Sequence, residues 1–121
     1  MLTYSQSTGK LTDDHGMPWA TGYSGYGDGK DNPAAQDQPG IGPIPQGRYS
    51  IGQPFTSART GPFVMALTPV SGNQFGRGDF EIHGDSFEHP GAASHGCIIL
   101  PRATRERIAR ETNDHLLEVI A

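Results

Sequence analysis

Hydrophobic residues occur along the chain in short runs, each bounded by glycine, proline or polar turn residues. This pattern is typical of short β-strands joined by tight turns. At the N-terminus, two such runs flank Ser-Thr-Gly at residues 7–9 and predict a β-hairpin. The predicted strands cover residues 2–4, 10–12, 17–23, 47–52, 61–68, 79–83, 97–100 and 116–120. We therefore expect a sheet built from many short strands.

Only one segment has the pattern of a helix. Pro101 ends the strand before it, Thr104 suits a helix N-cap or first turn, and Ile108 lies on the apolar side among charged residues. Residues 24–42 hold five glycines and two prolines and predict a long loop, either a solvated excursion or a substrate-facing segment. The sequence thus predicts a single domain, residues 1–121, folded as a mainly β sandwich or barrel with one α-helix.

Composition and charge narrow the class of protein. Glycine (17) and proline (10) make up more than a fifth of the 121 residues, which favours turns and short strands over a helix bundle. The net charge of −4 argues against a nucleic-acid-binding protein, for which a basic surface provides most of the attraction. No apolar run approaches the roughly 18 residues of a membrane span, and the N-terminus lacks the pattern of an export signal. We expect no cofactor.

The only cysteine, Cys97, stands in the segment Ser-His-Gly-Cys-Ile-Ile-Leu at residues 94–100. A single thiol cannot form an internal disulfide, so it is either a small buried hydrophobic residue or a nucleophile. The flanking residues favour the nucleophile, since Gly96 allows close approach of a substrate and the following apolar residues predict a strand that holds the sulfur rigidly. His83 and His95 supply imidazoles that can either accept the thiol proton or hold it in an ion pair.

These residues carry a family resemblance. A histidine on a strand, a loop and then Ser-His-Gly-Cys followed by hydrophobic residues resembles the signature of the cysteine L,D-transpeptidases of the YkuD type, which remodel bacterial peptidoglycan. The segment Ile-Pro-Gln-Gly-Arg-Tyr-Ser-Ile at 44–51 resembles the strand that opens that family's catalytic sheet. The whole chain is similar to the compact L,D-transpeptidase-like toxins delivered by type VI secretion. Two departures concern substrate positioning: only 13 residues separate His83 from Cys97, and Ile99 replaces the usual Asn or Arg.

The resemblance implies an L,D-carboxypeptidase or L,D-transpeptidase that forms a thioester at Cys97 and removes or exchanges the terminal D-alanine of peptidoglycan stem tetrapeptides. It also implies that His83 is the general base and that the Gly84 carbonyl orients its ring. Backbone N–H groups of Cys97 and of Gly96 or His95 are the natural oxyanion donors. His95 is also a candidate for a second acid or base, or for a group that positions the acyl carbonyl. The sequence leaves open whether hydrolysis or exchange dominates.

Four further residues are candidates for substrate binding. Ser94 is expected to brace the turn before Cys97 by a hydrogen bond from side chain to backbone. Asp85 either anchors its loop or meets a substrate amine. Arg102 has a planar guanidinium that suits a substrate carboxylate, or else it is a solvated residue at the start of the helix. Tyr23, beside the glycine-rich loop, is the aromatic candidate.

A zinc site is an alternative use of the same side chains, since His83, His89, His95 and Cys97 are all of zinc-ligand type. The even spacing of the three histidines matches neither helical nor strand periodicity, and Pro-Gly interrupts it. We therefore expect no metal.

The resemblance further implies an antibacterial effector that is made in the cytoplasm without a signal peptide and acts in the periplasm of a target bacterium. Its partners would be peptidoglycan stem peptides, an immunity protein and a secretion-system carrier. One alternative is a papain-like cell-wall endopeptidase, although in that class the cysteine precedes the histidine and begins a helix. Another is a non-catalytic binding module of a phage or secretion particle, with Trp19, Tyr23 and Tyr26 as its recognition surface.

Overall fold

Short strands dominate the computed structural model, which describes all residues 1–121. The strands are β1 (Leu2–Ser5), β2 (Lys10–Thr12), β3 (Pro18–Thr21), β4 (Tyr23–Ser24), β5 (Gly47–Ile51), β6 (Phe55–Ser57), β7 (Gly61–Ser71), β8 (Glu81–His83), β9 (Ile98–Ile99) and β10 (Leu116–Ile120). The α-helix α1 is Arg102–Glu111, and short 3₁₀ helices lie at Gly27–Gly29 and Pro33–Ala35. Strands hold 35% of the residues and helices 13%, so the predicted mainly β fold with one α-helix is confirmed.

The strands form one sheet in the order β3-β2-β1-β10-β5-β7-β8-β9-β4, with β6 paired to β7. This sheet curls into a nearly closed barrel. Most neighbouring strands are antiparallel, but β1 pairs with β10 and β8 pairs with β9 in parallel. The parallel β8–β9 pair positions two of the predicted site residues, because His83 lies at the end of β8 and Cys97 directly precedes β9.

Alternating residues of these strands build a single hydrophobic core. Leu2 and Tyr4 of β1 point into it, as do Leu117 and Val119 of β10, in keeping with the two-residue period of a strand. Each fully buried side chain of this kind stabilises the fold by about 1.5–3 kcal/mol. The helix covers one side of the core through Ile108, which is fully buried.

The N-terminal hairpin is confirmed, with Tyr4 of β1 opposite Leu11 of β2. The single strand predicted over residues 17–23 is instead divided into β3 and β4 at Gly22. The chain changes its pairing partner here, because β3 pairs with β2 and β4 pairs with β9, and the Gly22 backbone lies against the carbonyl of Ile99. β6 was not predicted, because Phe55 and the threonine after it are both exposed and give no apolar alternation.

The helix begins at Arg102, after Pro101 in the N-cap position, so Thr104 lies in the first turn. Exposed i,i+4 ion pairs line its outer face, while Arg105 and Ile108 face inward. At ten residues, it is too short and too polar to cross a bilayer, and the chain has no other α-helix.

Candidate active site

A single open cavity of about 590 Å³ brings together most of the predicted site residues. Six of the nine line it: His83, Gly84, Asp85, His95, Gly96 and Cys97. The other three, Ser94, Tyr23 and Arg102, lie outside its wall. The cavity therefore contains the proposed nucleophile and base. Three of the four residues predicted to bind substrate do not line it.

The strand register places His83 and Cys97 on the same face of the sheet. In the parallel β8–β9 pair, Ile82 lies opposite Ile98 and His83 opposite Ile99. Both Ile82 and Ile98 are fully buried in the core. Side chains alternate between the two faces of a sheet, so His83 and Cys97, one residue away from these isoleucines, emerge on the opposite face. The cavity lies on that face.

His83 is held in one tautomer. Its side chain is only 4% exposed, and Nδ1 lies 2.8 Å from the carbonyl oxygen of Gly84. A carbonyl only accepts hydrogen bonds, so Nδ1 carries the proton and Nε2 of the neutral ring has a free lone pair. Burial lowers the pKa of His83 below its usual value and outweighs the opposing effect of the Gly84 bond. The ring is thus a neutral base at physiological pH.

Cys97 is half-buried at the base of the cavity. Its thiol points to the backbone carbonyl of Asp79, with Sγ 3.7 Å from the oxygen. Burial raises the pKa of Cys97 to about 11, despite a smaller lowering by the backbone N–H of Glu81. The thiol therefore keeps its proton at neutral pH. Of the two arrangements that the sequence leaves open, these pKa shifts favour a neutral thiol and a neutral imidazole over an ion pair.

Ser94 braces the turn that leads to Cys97. Its hydroxyl accepts the N–H of Gly25 at 2.9 Å and of Gly96 at 3.2 Å, and it donates to the carbonyl of Cys97 at 2.6 Å. Ser94 is fully buried. The bracing hydrogen bond expected of Ser94 is therefore present. Because the hydroxyl makes all three bonds inside the protein and Ser94 does not line the cavity, the hydroxyl is not available for the substrate contact that was also expected.

Two backbone donors of this turn remain free for an oxyanion. The N–H of Gly96 is engaged by Ser94, whereas the N–H groups of His95 and Cys97 have no protein acceptor. Of the predicted oxyanion donors, the backbone N–H groups of Cys97 and His95 are therefore the two that remain available. In enzymes from which one such donor has been removed, the activation barrier rises by about 2.7–4 kcal/mol.

Arg77 is a site residue that the sequence analysis missed. Its guanidinium donates four hydrogen bonds to backbone carbonyls, those of Gln36, Gly42, Pro43 and His95. It also packs against Gly96, where a Cβ atom would lie 2.6 Å from Nη2. Glycine is required here both by this contact and by its φ of +137°. The only sequence signal for this role is an arginine placed between two glycines, Gly76 and Gly78.

His95 connects the cysteine turn to the long loop at 24–42. The ring is exposed, its Nδ1 donates to the carbonyl of Gly40 at 3.0 Å, and it stacks on Tyr26 with centroids 5.1 Å apart. No residue of the loop lines the cavity. Ten of the 19 loop residues are exposed, in keeping with a solvated excursion, and through Gly40 and Tyr26 the loop also supports the turn that carries Cys97.

Asp85 anchors the loop that follows His83. Its carboxylate accepts hydrogen bonds from the hydroxyl of Tyr23 at 2.7 Å and from the N–H groups of Ser86 and Gly91 at 2.8 and 3.1 Å. These bonds outweigh the effect of burial and lower the pKa of Asp85. Of its two predicted roles, the structure thus supplies the loop anchor. Tyr23 has the matching role, since its hydroxyl also accepts the N–H of Ala93.

Arg102 and Arg105 lie on the helix, behind the histidine. Arg102 is paired with Glu106 at 3.2 Å and lies over the ring of Phe63. Arg105 was not singled out from the sequence, yet it is only 7% exposed. Its guanidinium donates to three backbone carbonyls, those of Leu100, Pro62 and Phe63. It also packs against Gly84, where a Cβ atom would lie 2.7 Å from Nη2.

Two alternative uses of the site residues can be compared with the structure. His89 also lines the cavity, but no group of three or more His, Cys, Asp or Glu side chains is arranged to hold a metal ion. The aromatic residues of the alternative recognition surface are engaged separately. Trp19 donates to Asp13 and packs under Arg107, whereas Tyr26 stacks on His95.

Comparison with known proteins adds the family. No curated protein matches the chain. A family model, that of the Tlde1 domain, matches residues 19–119, which include strands β3 to β10 except the first residue of β3 and the last residue of β10. The matched range also includes His83 and Cys97. The chain belongs to the Tlde1-domain family, a family of type VI secretion effectors.

Proposed function

We propose that this chain is a cysteine acyltransferase that acts on peptidoglycan stem tetrapeptides, as an L,D-carboxypeptidase and an exchanging L,D-transpeptidase. The observation that carries this proposal is the pair formed by His83 and Cys97 on one face of the β8–β9 strands, in one open cavity. The Nδ1 bond of His83 to Gly84 directs the unprotonated Nε2 away from the backbone and makes it available to a thiol.

In the first step, Nε2 of His83 removes the thiol proton as Cys97 Sγ attacks the carbonyl carbon between the diamino acid and the terminal D-alanine. The N–H groups of Cys97 and His95 stabilise the resulting oxyanion. The intermediate collapses as the C–N bond breaks, and His83 gives its proton to the leaving nitrogen. D-alanine departs as a free amino acid and a thioester remains on the enzyme.

In the second step, the thioester is released by one of two nucleophiles. Water gives a tripeptide with a free carboxyl group, and a D-amino acid gives a new peptide bond. In both cases His83 accepts a proton from the nucleophile and returns it to the sulfur, so the thiol is regenerated. The entry of Cys97 into a strand rather than a helix supports this reading over a papain-like endopeptidase.

Membership of a family of type VI secretion effectors also supports a biological role as a secreted toxin. We infer that the protein is an antibacterial toxin that reaches the periplasm of a target bacterium through type VI secretion, and that the producing cell holds an immunity protein. Stem peptides are exposed in that compartment, whereas assembled ones are scarce in the cytoplasm.

The test of the chemistry is the set of products formed from purified disaccharide-tetrapeptide with and without an added D-amino acid. We expect disaccharide-tripeptide and D-alanine in the first case and an exchanged tetrapeptide in the second. A Cys97→Ala protein is the matched control. The absence of any D-alanine release by a folded wild-type protein would contradict the proposal.

The test of the biological role is expression in two compartments. Cytoplasmic expression in a Gram-negative host should be harmless, and the same chain with a periplasmic signal should cause swelling or lysis that depends on Cys97. Equal toxicity in both compartments would show that the target is not the wall peptide.

A further inference from the structure

The catalytic cavity continues into a second groove. This groove has a volume of about 760 Å³ and shares part of its wall with the cavity. The shared residues are Arg59, Thr60, Gly84, Asp85 and Ser86. A peptide that places one carbonyl next to Cys97 can therefore extend into the groove without leaving the protein surface.

The groove is cationic, although the chain as a whole carries a net charge of −4. Three arginines line it, Arg59, Arg102 and Arg105, against a single carboxylate, that of Asp85. The Asp85 carboxylate already accepts hydrogen bonds from Tyr23 and from two backbone N–H groups. The charge of the groove thus favours a ligand that carries a carboxylate.

Arg59 differs from the other two arginines because its guanidinium has no partner. Arg102 is paired with Glu106, and Arg105 donates to three backbone carbonyls. Arg59 is exposed, and neither an ion pair nor a hydrogen bond engages its side chain. Its charge lowers the pKa of both His83 and Cys97, so it lies within electrostatic reach of the reacting pair. An unpaired guanidinium at this junction is suited to a bidentate bond with a carboxylate.

The turn that presents Arg59 is well ordered by its own hydrogen bonds. It joins β6 to β7, and Ser57 Oγ accepts the N–H groups of Arg59 and Thr60 at 3.2 and 3.1 Å. Thr60 in turn donates to the carboxylate of Glu81 at 3.1 Å. Glu81 belongs to β8, the strand that carries His83. The position of Arg59 is therefore linked to the position of the base.

We propose that Arg59 binds the α-carboxylate of the substrate's C-terminal residue, the one that leaves, and so restricts cleavage to a free carboxyl end. Consecutive Cα atoms of a peptide are about 3.8 Å apart, so the carboxylate of a leaving residue lies within one residue of the attacked carbonyl. An arginine at the border of cavity and groove can reach it while the carbonyl lies at Cys97. This inference rests on the proposed function and makes the enzyme a carboxypeptidase rather than an endopeptidase.

The test compares the stem tetrapeptide as free acid with the same peptide as C-terminal amide. We expect the wild-type protein to favour the acid in kcat/KM by about tenfold to a hundredfold, as for other charge-assisted bonds. Arg59→Ala should lower kcat/KM for the acid by that factor and should lower kcat/KM for the amide much less, because only the acid loses a charged partner. Arg59→Lys should retain part of the preference. Arg110→Ala, at an exposed arginine on the outer face of α1, is the matched control and should change neither value.

A binding measurement separates this inference from the chemistry. In the Cys97→Ala background, calorimetry should show tighter binding of the acid than of the amide, and the added Arg59→Ala change should abolish the difference. If Arg59→Ala keeps the acid preference, or lowers both substrates equally, the assignment of Arg59 is wrong while the proposed function stands. If the wild-type protein releases neither D-alanine from the acid nor D-alaninamide from the amide, but the binding preference depends on Arg59, the proposed function fails and the carboxylate site remains.

Discussion

The cysteine half and the histidine half of the site are held in a similar way by different parts of the fold. On the cysteine side, Arg77 fills the space next to Gly96, and on the histidine side Arg105 fills the space next to Gly84. Both guanidiniums donate to backbone carbonyls, and neither has a carboxylate partner. Each arginine thus fixes the backbone beside one member of the proposed catalytic pair.

The difference lies in what the two arginines hold. The carbonyls that Arg105 binds belong to β7 and to the residue directly after β9, and Arg105 itself lies on α1. The carbonyls that Arg77 binds all belong to loops. The base is therefore positioned by regular secondary structure and the nucleophile by loop contacts. Loops open locally at a lower free-energy cost than strands, so we expect the cysteine side to be the more easily disturbed.

Substitutions of Gly96 and Gly84 should have the largest effects on activity and should affect the cysteine and histidine sides unequally. Gly96→Ala combines a φ of +137° with a contact of 2.6 Å to Arg77, so we expect kcat/KM to fall by about a hundredfold or more. Gly84→Ala has only the contact of 2.7 Å to Arg105 and should cost about tenfold or less. Release of D-alanine is the measurement, with circular dichroism as the check on folding.

Gly78→Ala is the control for this pair, since no atom lies within 4 Å of its Cβ position. It should retain near-normal activity. Equal losses in Gly96→Ala and Gly84→Ala would show that the two sides tolerate displacement alike.

Replacement of the arginines should separate activity from stability. Arg105→Met leaves three carbonyls without their donor, one in a buried bond and two in part-buried bonds, so we expect the free energy of unfolding to fall by about 2–4 kcal/mol. Arg77→Met leaves carbonyls that are closer to solvent, and we expect a smaller loss of stability, about 1–2 kcal/mol, with a tenfold or larger loss of kcat/KM. Urea denaturation and D-alanine release measure the two quantities, and the reverse ranking would contradict the comparison.

The same contrast decides what the sequence predicts. The strands around His83 follow from apolar runs and turn residues, and Cys97 is identified by its flanking residues and its family resemblance. The roles of Arg77 and Arg105 do not follow, because their acceptors are backbone carbonyls up to 43 residues away and leave no pattern in the sequence. A charged residue is usually predicted to be solvated, and only the folded chain shows that Arg105 is buried.

Asp85 and Ser94 show the same limit for the binding residues. Both are small polar residues near a catalytic histidine or cysteine, a position that suits substrate binding and turn bracing equally well. Their hydrogen bonds to Tyr23 and Gly25 cross more than 60 residues, and these long-range contacts decide between the two roles.

The smallest expected effects concern the pH dependence, which reports the protonation states of His83 and Cys97. Burial lowers the pKa of His83, so the rise of kcat/KM with pH should have its midpoint below 6.5, the usual histidine value. Burial raises the pKa of Cys97 to about 11, so alkylation by iodoacetamide should still be accelerating above pH 9. Arg59→Gln removes a charge that lowers the pKa of His83, and an NMR titration should show that pKa moving upward.

An alkylation rate that is already constant near pH 7 would contradict this prediction, because it would mean that the thiol rests as a thiolate in an ion pair. A chelator should leave both profiles unchanged and is the control for trace metal.

The most direct test of cysteine catalysis is the mass of the intact protein after brief reaction with disaccharide-tetrapeptide and quenching in acid. We expect a covalent adduct whose mass equals that of the disaccharide-tripeptide acyl group. Peptide mapping should locate it on Cys97, and it should be absent from the Cys97→Ala protein. His83→Ala should form the same adduct at least about a hundredfold more slowly, because the thiol loses its base. Release of D-alanine with no adduct, or by a folded Cys97→Ala protein at more than about a few per cent of the wild-type rate, would contradict cysteine catalysis in this chain.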